Sequence, residues 1–190
     1  ALFLYAVELL PENSPARAKS LAAAGGAMLD KKSEDYAWYL GLCKAMRVTG
    51  RSAEALSNCK RSLELDPTVY PVYRELGLTY AAAGNPRKAA ETLAQGVEIS
   101  SSSYQAHYYL AKVLEKRGDA GRAAASYAKG LALAKRDPGL DAAYYRALIQ
   151  AGLKRTAAEK ARARPKKPEQ PAPDGKQPAD RRIRGVVVVV

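Results

Sequence analysis

The stretch YPVYRELGLTYAAAGNPRKAAETLAQGVEISSSS, residues 70–103, decides the fold of this chain. In its first half, packing residues recur at the spacing of one helical face, at Tyr73, Leu76, Gly77 and Tyr80. Gly84 predicts the end of that helix, because glycine adopts the left-handed cap conformation at little cost. Asn85 followed by Pro86 is typical of the first turn of another helix. The stretch therefore predicts two helices joined by a tight turn.

The same pattern recurs every 34 residues along the chain. Repeats begin at Tyr36, Tyr70 and Tyr104, and a partial one begins at Pro138. The expected turn glycines are Gly50, Gly84, Gly118 and Gly152, and the small residues five positions later are Ala55, Ala89, Ala123 and Ala157. Self-similarity at this length indicates a repeat array. Such an array usually binds a partner along its surface and catalyses nothing by itself.

The repeated unit resembles the tetratricopeptide repeat, whose pattern is aromatic-x-x-Leu-Gly-x-x-Tyr followed by a turn glycine, an alanine, a bulky residue and a small residue. The residues that fit it are Tyr73, Leu76, Gly77, Tyr80, Gly84, Ala89, Leu93 and Gly96. The resemblance covers residues 36–163. It implies an all-α solenoid of antiparallel helix pairs wound into a right-handed superhelix. Tyr145 departs from the pattern, because it is too large for the position that Gly77 fills.

The resemblance divides the chain into repeats at 36–69, 70–103 and 104–137, followed by a partial repeat or capping helices at 138–163. Residues 1–35 are predicted to be a degenerate repeat, since Ser14-Pro15 resembles Asn85-Pro86, and a capping hairpin is the alternative. Residues 164–185 are rich in proline and basic residues and predict a disordered linker. The valine run at 186–190 is typical of a β-strand, which could open a further domain or pair with an exposed strand edge or with its own copy in another chain. Alternatively, the run begins a membrane span, since basic residues precede it.

The balance of charge restricts the kinds of partner. The chain has 31 Lys and Arg against 19 Asp and Glu, a net charge of +12. An acidic protein segment and a nucleic acid are both compatible with this excess. There is no apolar run of about 18 residues or more, and no basic leader precedes an apolar segment at the start. The cytoplasm is slightly favoured as the location, and a membrane is expected as a partner only if the valine run continues into a span.

Residue types that carry chemistry are sparse. His107 is the single histidine and occupies the repeat position of Tyr39 and Tyr73, so we expect a packed helix residue. Cys43 and Cys59 are 16 positions apart, which matches no zinc pattern, and they are expected to be small buried thiols. A disulfide between them would need an oxidising compartment and close Cα atoms. We therefore expect no enzyme activity, metal or cofactor.

The resemblance implies that the first helix of each pair lines a concave groove. Basic and aromatic residues at the implied groove positions are the predicted partner-binding set: Lys44, Arg47, Arg74, Tyr108, Tyr109, Lys112, Lys116 and Arg146. Arginine pairs well with carboxylates and tyrosine supplies rigid contact area. The hypothesis is a protein-interaction scaffold or adaptor that holds an acidic partner segment. The plain alternative is that these residues belong to an ordinary solvated helical surface.

Two other functions stay open at this point. A nucleic acid could contact the basic groove and tail, with Tyr108 and Tyr109 stacking on bases. The array could also be the repeat module of a larger enzyme, or of an envelope or secretion assembly factor. Co-chaperones of the family hold a carboxylate with lysine and asparagine, and the matching groove positions here lack asparagine.

Overall fold

The computed structural model describes residues 34–163, which fold entirely into α-helices and turns. Seven helices follow one another in this range: α1 Tyr36–Val48, α2 Ser52–Leu65, α3 Tyr70–Ala82, α4 Pro86–Ile99, α5 Tyr104–Lys116, α6 Ala120–Ala134 and α7 Leu140–Ala163. Consecutive helices pack as antiparallel pairs, and each pair packs on the next. The predicted all-α solenoid is confirmed. The predicted N-terminal repeat or hairpin, the linker and the valine run lie outside the described residues, apart from Glu34 and Asp35.

The turns within the helix pairs have the predicted chemistry. Gly50, Gly84 and Gly118 have φ angles of +80°, +75° and +81°, the left-handed region that favours glycine. The side chain of Asn85 accepts a hydrogen bond from the backbone N–H of Lys88 at 3.1 Å, so it caps α4 as predicted. Local residue chemistry therefore sets where these helices end and begin.

Small residues bring the two helices of a pair close together. A Cβ atom on Gly77 of α3 would lie 2.5 Å from Cγ of Leu93 on α4. A Cβ atom on Gly96 of α4 would lie 2.9 Å from Cβ of Tyr73. Because neither distance is open to a real side chain, this approach of α3 and α4 requires glycine at both positions.

Gly152 does not form the predicted turn, and this expectation was wrong. Helix α7 runs for 24 residues and passes through it. The fully buried ring of Tyr127 lies against Gly152, and an added Cβ would be 2.6 Å from the ring atom Cε2. Asn85 and Asp119 follow earlier turn glycines and cap the next helix, whereas Leu153 follows Gly152 and offers no cap. The glycine therefore serves close packing between α6 and α7.

Replacing Gly152 with alanine is expected to lower the free energy of unfolding by about 1–3 kcal/mol, because the new methyl group overlaps the Tyr127 ring. This loss opposes the gain of roughly 1 kcal/mol that alanine brings to a helix. Urea denaturation measures it. Gly121→Ala is the matched control, since no neighbouring atom lies within 4 Å of a Cβ there, and it should be neutral or stabilising. Equal stability of the two variants would contradict the packing role.

No helix within residues 34–163 combines the length and the apolar character that a membrane crossing requires.

Candidate functional site: the groove face

The first helices of the pairs lie side by side, with α1 against α3, α3 against α5, and α5 against α7. We call the surface that they form the groove face. The eight predicted partner-binding residues are distributed over it, two on α1, one on α3, four on α5 and one on α7. Their surroundings differ. Some surround a buried carboxylate, some belong to a group of packed tyrosine rings, some line a cavity, and Arg146 contacts the connection between two helices.

The charge cluster is centred on Glu75 of α3, which is only 2% exposed. Arg47 donates to Oε2 of Glu75 from Nε at 3.1 Å and from Nη2 at 2.9 Å, and Nε of Arg74 donates to Oε1 at 3.1 Å. Burial raises the pKa of Glu75, but the positive charges of Arg47, Arg74 and Lys44 outweigh this effect and lower it overall. The cluster therefore ties α1 to α3 through a buried carboxylate.

The tyrosine wall consists of Tyr108 and Tyr109 of α5 and Tyr145 of α7. The rings of Tyr108 and Tyr109 pack edge to face with centroids 5.1 Å apart, and Tyr145 packs on Tyr108 at 5.3 Å. The hydroxyls of Tyr109 and Tyr145 are hydrogen-bonded at 3.1 Å. Tyr108 and Tyr109 are only 9% and 8% exposed. These rings line the groove face and join its helices, and they offer little open ring surface.

Arg146 has a different environment from the other predicted residues. Its Nη1 donates to the backbone carbonyls of Ala134 and Asp137, each at 2.8 Å. Arg146 therefore stabilises the connection between α6 and α7. It does not line the cavity that Arg47, Lys112 and Lys116 share.

That cavity has a volume of about 450 Å³. Three predicted cationic residues line it: Arg47 from α1, and Lys112 and Lys116 from α5. The remaining lining residues are Leu78, Ala81, Ala82, Gly84, Pro86 and Val113. We call this space the groove pocket. The sequence interpretation missed Leu78, Ala81 and Ala82 because it considered only charged and aromatic side chains, although these residues occupy the same implied groove positions one repeat along.

The two lysines of the groove pocket are not paired with the described acidic side chains nearby. The carboxylate of Glu115, adjacent to Lys116, accepts bonds from Arg155 at 2.6 and 3.1 Å and from the Tyr127 hydroxyl at 2.7 Å. The hydrogen bond from Arg155 lowers the pKa of Glu115, although burial opposes it. In the described part of the chain, neither Lys112 nor Lys116 belongs to an ion pair. The ammonium of Lys112 lies 5.8 Å from the centroid of the Tyr108 ring.

The two cysteines form a disulfide, so the expectation of thiols was wrong. Cys43 of α1 and Cys59 of α2 are fully buried, as predicted, and their Cα atoms are 5.1 Å apart. The hydroxyl oxygen of Thr79 on α3 lies 3.6 Å and 3.7 Å from the two sulfur atoms. Cysteines 16 positions apart meet here because the turn folds α2 back along α1.

His107 is packed, as predicted, at 6% exposure. Its Nε2 lies 3.1 Å from the carbonyl oxygen of Ser101, and burial lowers its pKa. Across residues 34–163, no three histidine, cysteine or acidic side chains come together as a metal site would require.

No protein-family model matches the chain. A segment of 62 residues is 37% identical to the tetratricopeptide repeat and J domain-containing co-chaperone DNJ1 of Cryptococcus neoformans, and the match spans 33% of this chain and 12% of that relative.

Solved structures with the same fold share little sequence with this chain. The Sgt2 tetratricopeptide domain of Aspergillus fumigatus superposes with a TM-score of 0.60 at 20% identity, covering 80% of this chain and 97% of that one. The type III secretion chaperone SycD of Yersinia enterocolitica, in complex with a peptide of the translocator YopD, gives a TM-score of 0.58 at 16% identity, covering 64% and 92%. These superpositions agree with the repeat fold that the sequence predicts.

Proposed function

We propose that this tetratricopeptide-repeat protein is a binding scaffold that holds an acidic segment of a partner protein on its groove face. One observation carries the proposal: Lys112 and Lys116 line the groove pocket together with Arg47, and neither lysine has a carboxylate partner among the described residues. Cations placed at a cavity without carboxylate partners are available to a carboxylate from outside. The SycD structure, which contains a YopD peptide, is a precedent for peptide binding by this fold.

A protein segment fits the groove face better than a nucleic acid does. Stacking on bases requires open ring faces, and Tyr108 and Tyr109 are each less than a tenth exposed. The lining of the groove pocket includes Leu78 and Val113, whose apolar surface suits a side chain rather than a phosphate. The net charge of +12 attracts an anionic partner over a distance, so it is compatible with an acidic segment and does not by itself select between the two classes.

The acidic groups with shifted pKa values support binding rather than catalysis. Glu75 and Glu115 both have lowered pKa values, and each is held by arginine. A general acid or base needs a pKa near the working pH, and a lowered carboxylate pKa moves away from it. We therefore assign these groups to the scaffold and infer no reaction on the groove face.

Selection from a library of random displayed peptides tests the proposal. The intact protein should enrich acidic peptides, and the variant Lys112→Glu/Lys116→Glu should lose that enrichment because it reverses both unpaired charges. The control Lys60→Glu/Lys129→Glu makes the same change in net charge at exposed positions on α2 and α6 and should select as the intact protein does. Identical selection by all three proteins would exclude the groove pocket as the binding surface.

A further inference from the structure

We propose that the groove pocket receives one bulky aliphatic side chain from the partner, and that acidic residues flank this side chain in the partner sequence. The inference rests on the proposed function and specifies the chemistry of the segment that binds. It follows from the composition of the pocket, whose lining combines apolar residues, which we call the floor, with cationic residues, which we call the rim.

The floor of the pocket is preformed. Leu78, Ala81 and Ala82 are spaced as neighbours on one face of α3, and Val113 lies opposite on α5. Alanine has no side-chain rotamers to order, so the space above Ala81 and Ala82 is maintained without a conformational cost. The volume of about 450 Å³ accommodates a large side chain together with part of the backbone that carries it. An aliphatic group on this floor would replace water with apolar contact.

The rim carries charge on two sides of that floor. Arg47 binds Glu75 through Nε and Nη2, and its Nη1 donates to no acceptor in the described chain. Lys112 and Lys116 are one helical turn apart on α5, a rise of about 6 Å. A lysine side chain offers an aliphatic stem for apolar contact as well as a charged ammonium group. In an extended peptide, side chains two positions apart project to the same side and lie about 7 Å apart, so acidic residues two positions before and after one aliphatic residue can reach this rim.

A ligand that is only anionic or only apolar would match just one part of the pocket lining. A purely anionic ligand would cover Leu78 and Val113 without contacting them favourably. A purely apolar ligand would desolvate the two lysines and Nη1 of Arg47 without offering them an acceptor. An aliphatic residue between acidic residues matches both the floor and the rim. The sequence features that distinguish the partner segment are therefore a central leucine-like residue and nearby aspartate or glutamate.

Three short synthetic peptides with blocked termini test the inference by titration calorimetry on the full chain. The first has a central leucine with two aspartates on each side, the second replaces the leucine with alanine, and the third replaces the aspartates with asparagine. We expect the first to bind tightest, the second to lose at least about tenfold in affinity, and the third to lose both affinity and its dependence on salt.

A variant that fills the pocket localises the effect. Ala82 is exposed at the end of α3, and leucine is nearly as good a helix former as alanine, so Ala82→Leu should leave the fold intact. It should reduce the affinity of the leucine peptide to that of the alanine peptide. Ala125→Leu, at an exposed position of α6, is the control and should change nothing.

The outcomes separate the inference from the function on which it rests. Equal binding of the leucine and alanine peptides, both tighter than the asparagine peptide, would overturn the aliphatic pocket and leave the acidic groove standing. A preference for leucine that survives Ala82→Leu would also overturn it, because the leucine would then bind elsewhere. Failure of all three peptides to bind would overturn both proposals.

Discussion

Glu75→Gln is expected to lower the free energy of unfolding by about 3 kcal/mol at neutral pH, one of the two largest effects we expect from changes to this chain. The substitution keeps the shape of the side chain and removes its charge. A neutral amide would no longer compensate the positive charges of Arg47, Arg74 and Lys44. The loss is costly because the side chains of Arg47 and Arg74 are only 14% and 17% exposed, so water screens them poorly. Urea denaturation of the two proteins measures the difference.

The control for this substitution is Glu98→Gln on the exposed face of α4, which removes the same charge from a position without an ion pair in the described chain. It should change stability by no more than about 0.5 kcal/mol. If Glu75→Gln proves as mild as Glu98→Gln, the buried cluster does not hold α1 and α3 together as we infer.

The cluster also gives the stability of the protein a defined dependence on pH. Because the pKa of Glu75 is lower in the folded protein than its ordinary value of 4.5, its contribution is present above pH 4.5 and is lost as the pH falls through the folded-state pKa. Glu115 acts in the same direction. The wild type should therefore lose stability steeply below about pH 4.5, and Glu75→Gln should show a shallower loss.

Loss of the Cys43–Cys59 disulfide is expected to cost about 3 kcal/mol, the other large effect. The bond closes a loop of 16 residues, and opening that loop increases the conformational freedom of the unfolded chain. It also connects α1, which carries Arg47, to α2. The difference in unfolding free energy between the oxidised protein and the protein reduced under denaturing conditions measures the effect.

The double variant Cys43→Ala/Cys59→Ala is the control, since a reductant should leave its stability unchanged. Thiol titration of the denatured wild type without reductant should find that neither cysteine reacts. Two reactive thiols in that titration would contradict the disulfide directly. Because disulfides persist in oxidising compartments, we expect the oxidised form where the environment is oxidising and not in a reducing cytoplasm.

The helix boundaries were predictable because they depend on neighbouring residues. Helices α1, α3 and α5 begin at Tyr36, Tyr70 and Tyr104, where the 34-residue pattern begins in the sequence. The positive φ angles of three turn glycines and the Asn85 cap involve groups only a few residues apart. Patterns of this kind contain most of the information that sets a repeat fold.

Contacts between helices were less predictable because they depend on distances that spacing alone does not give. Gly152 follows the repeat period, but its function is set by the Tyr127 ring, 25 positions earlier. Arg47 and Arg74 were predicted to be available to a partner, and their shared contact with the buried Glu75 emerges only from the packing of α1 on α3. Leu78 occupies the repeat position of Lys112, but it carries no charge, and its place in the binding surface becomes evident from the groove pocket that it lines.

The most direct measurement of the central claim is a nuclear magnetic resonance titration of the isotope-labelled full chain with the peptide that carries leucine between aspartates. Our account predicts that the largest shift changes cluster on the groove face, around Arg47, Leu78 and Lys112. Signals from the exposed faces of α2, α4 and α6 should stay in place. Changes confined to those faces, or to residues 164–190, would contradict binding on the groove face.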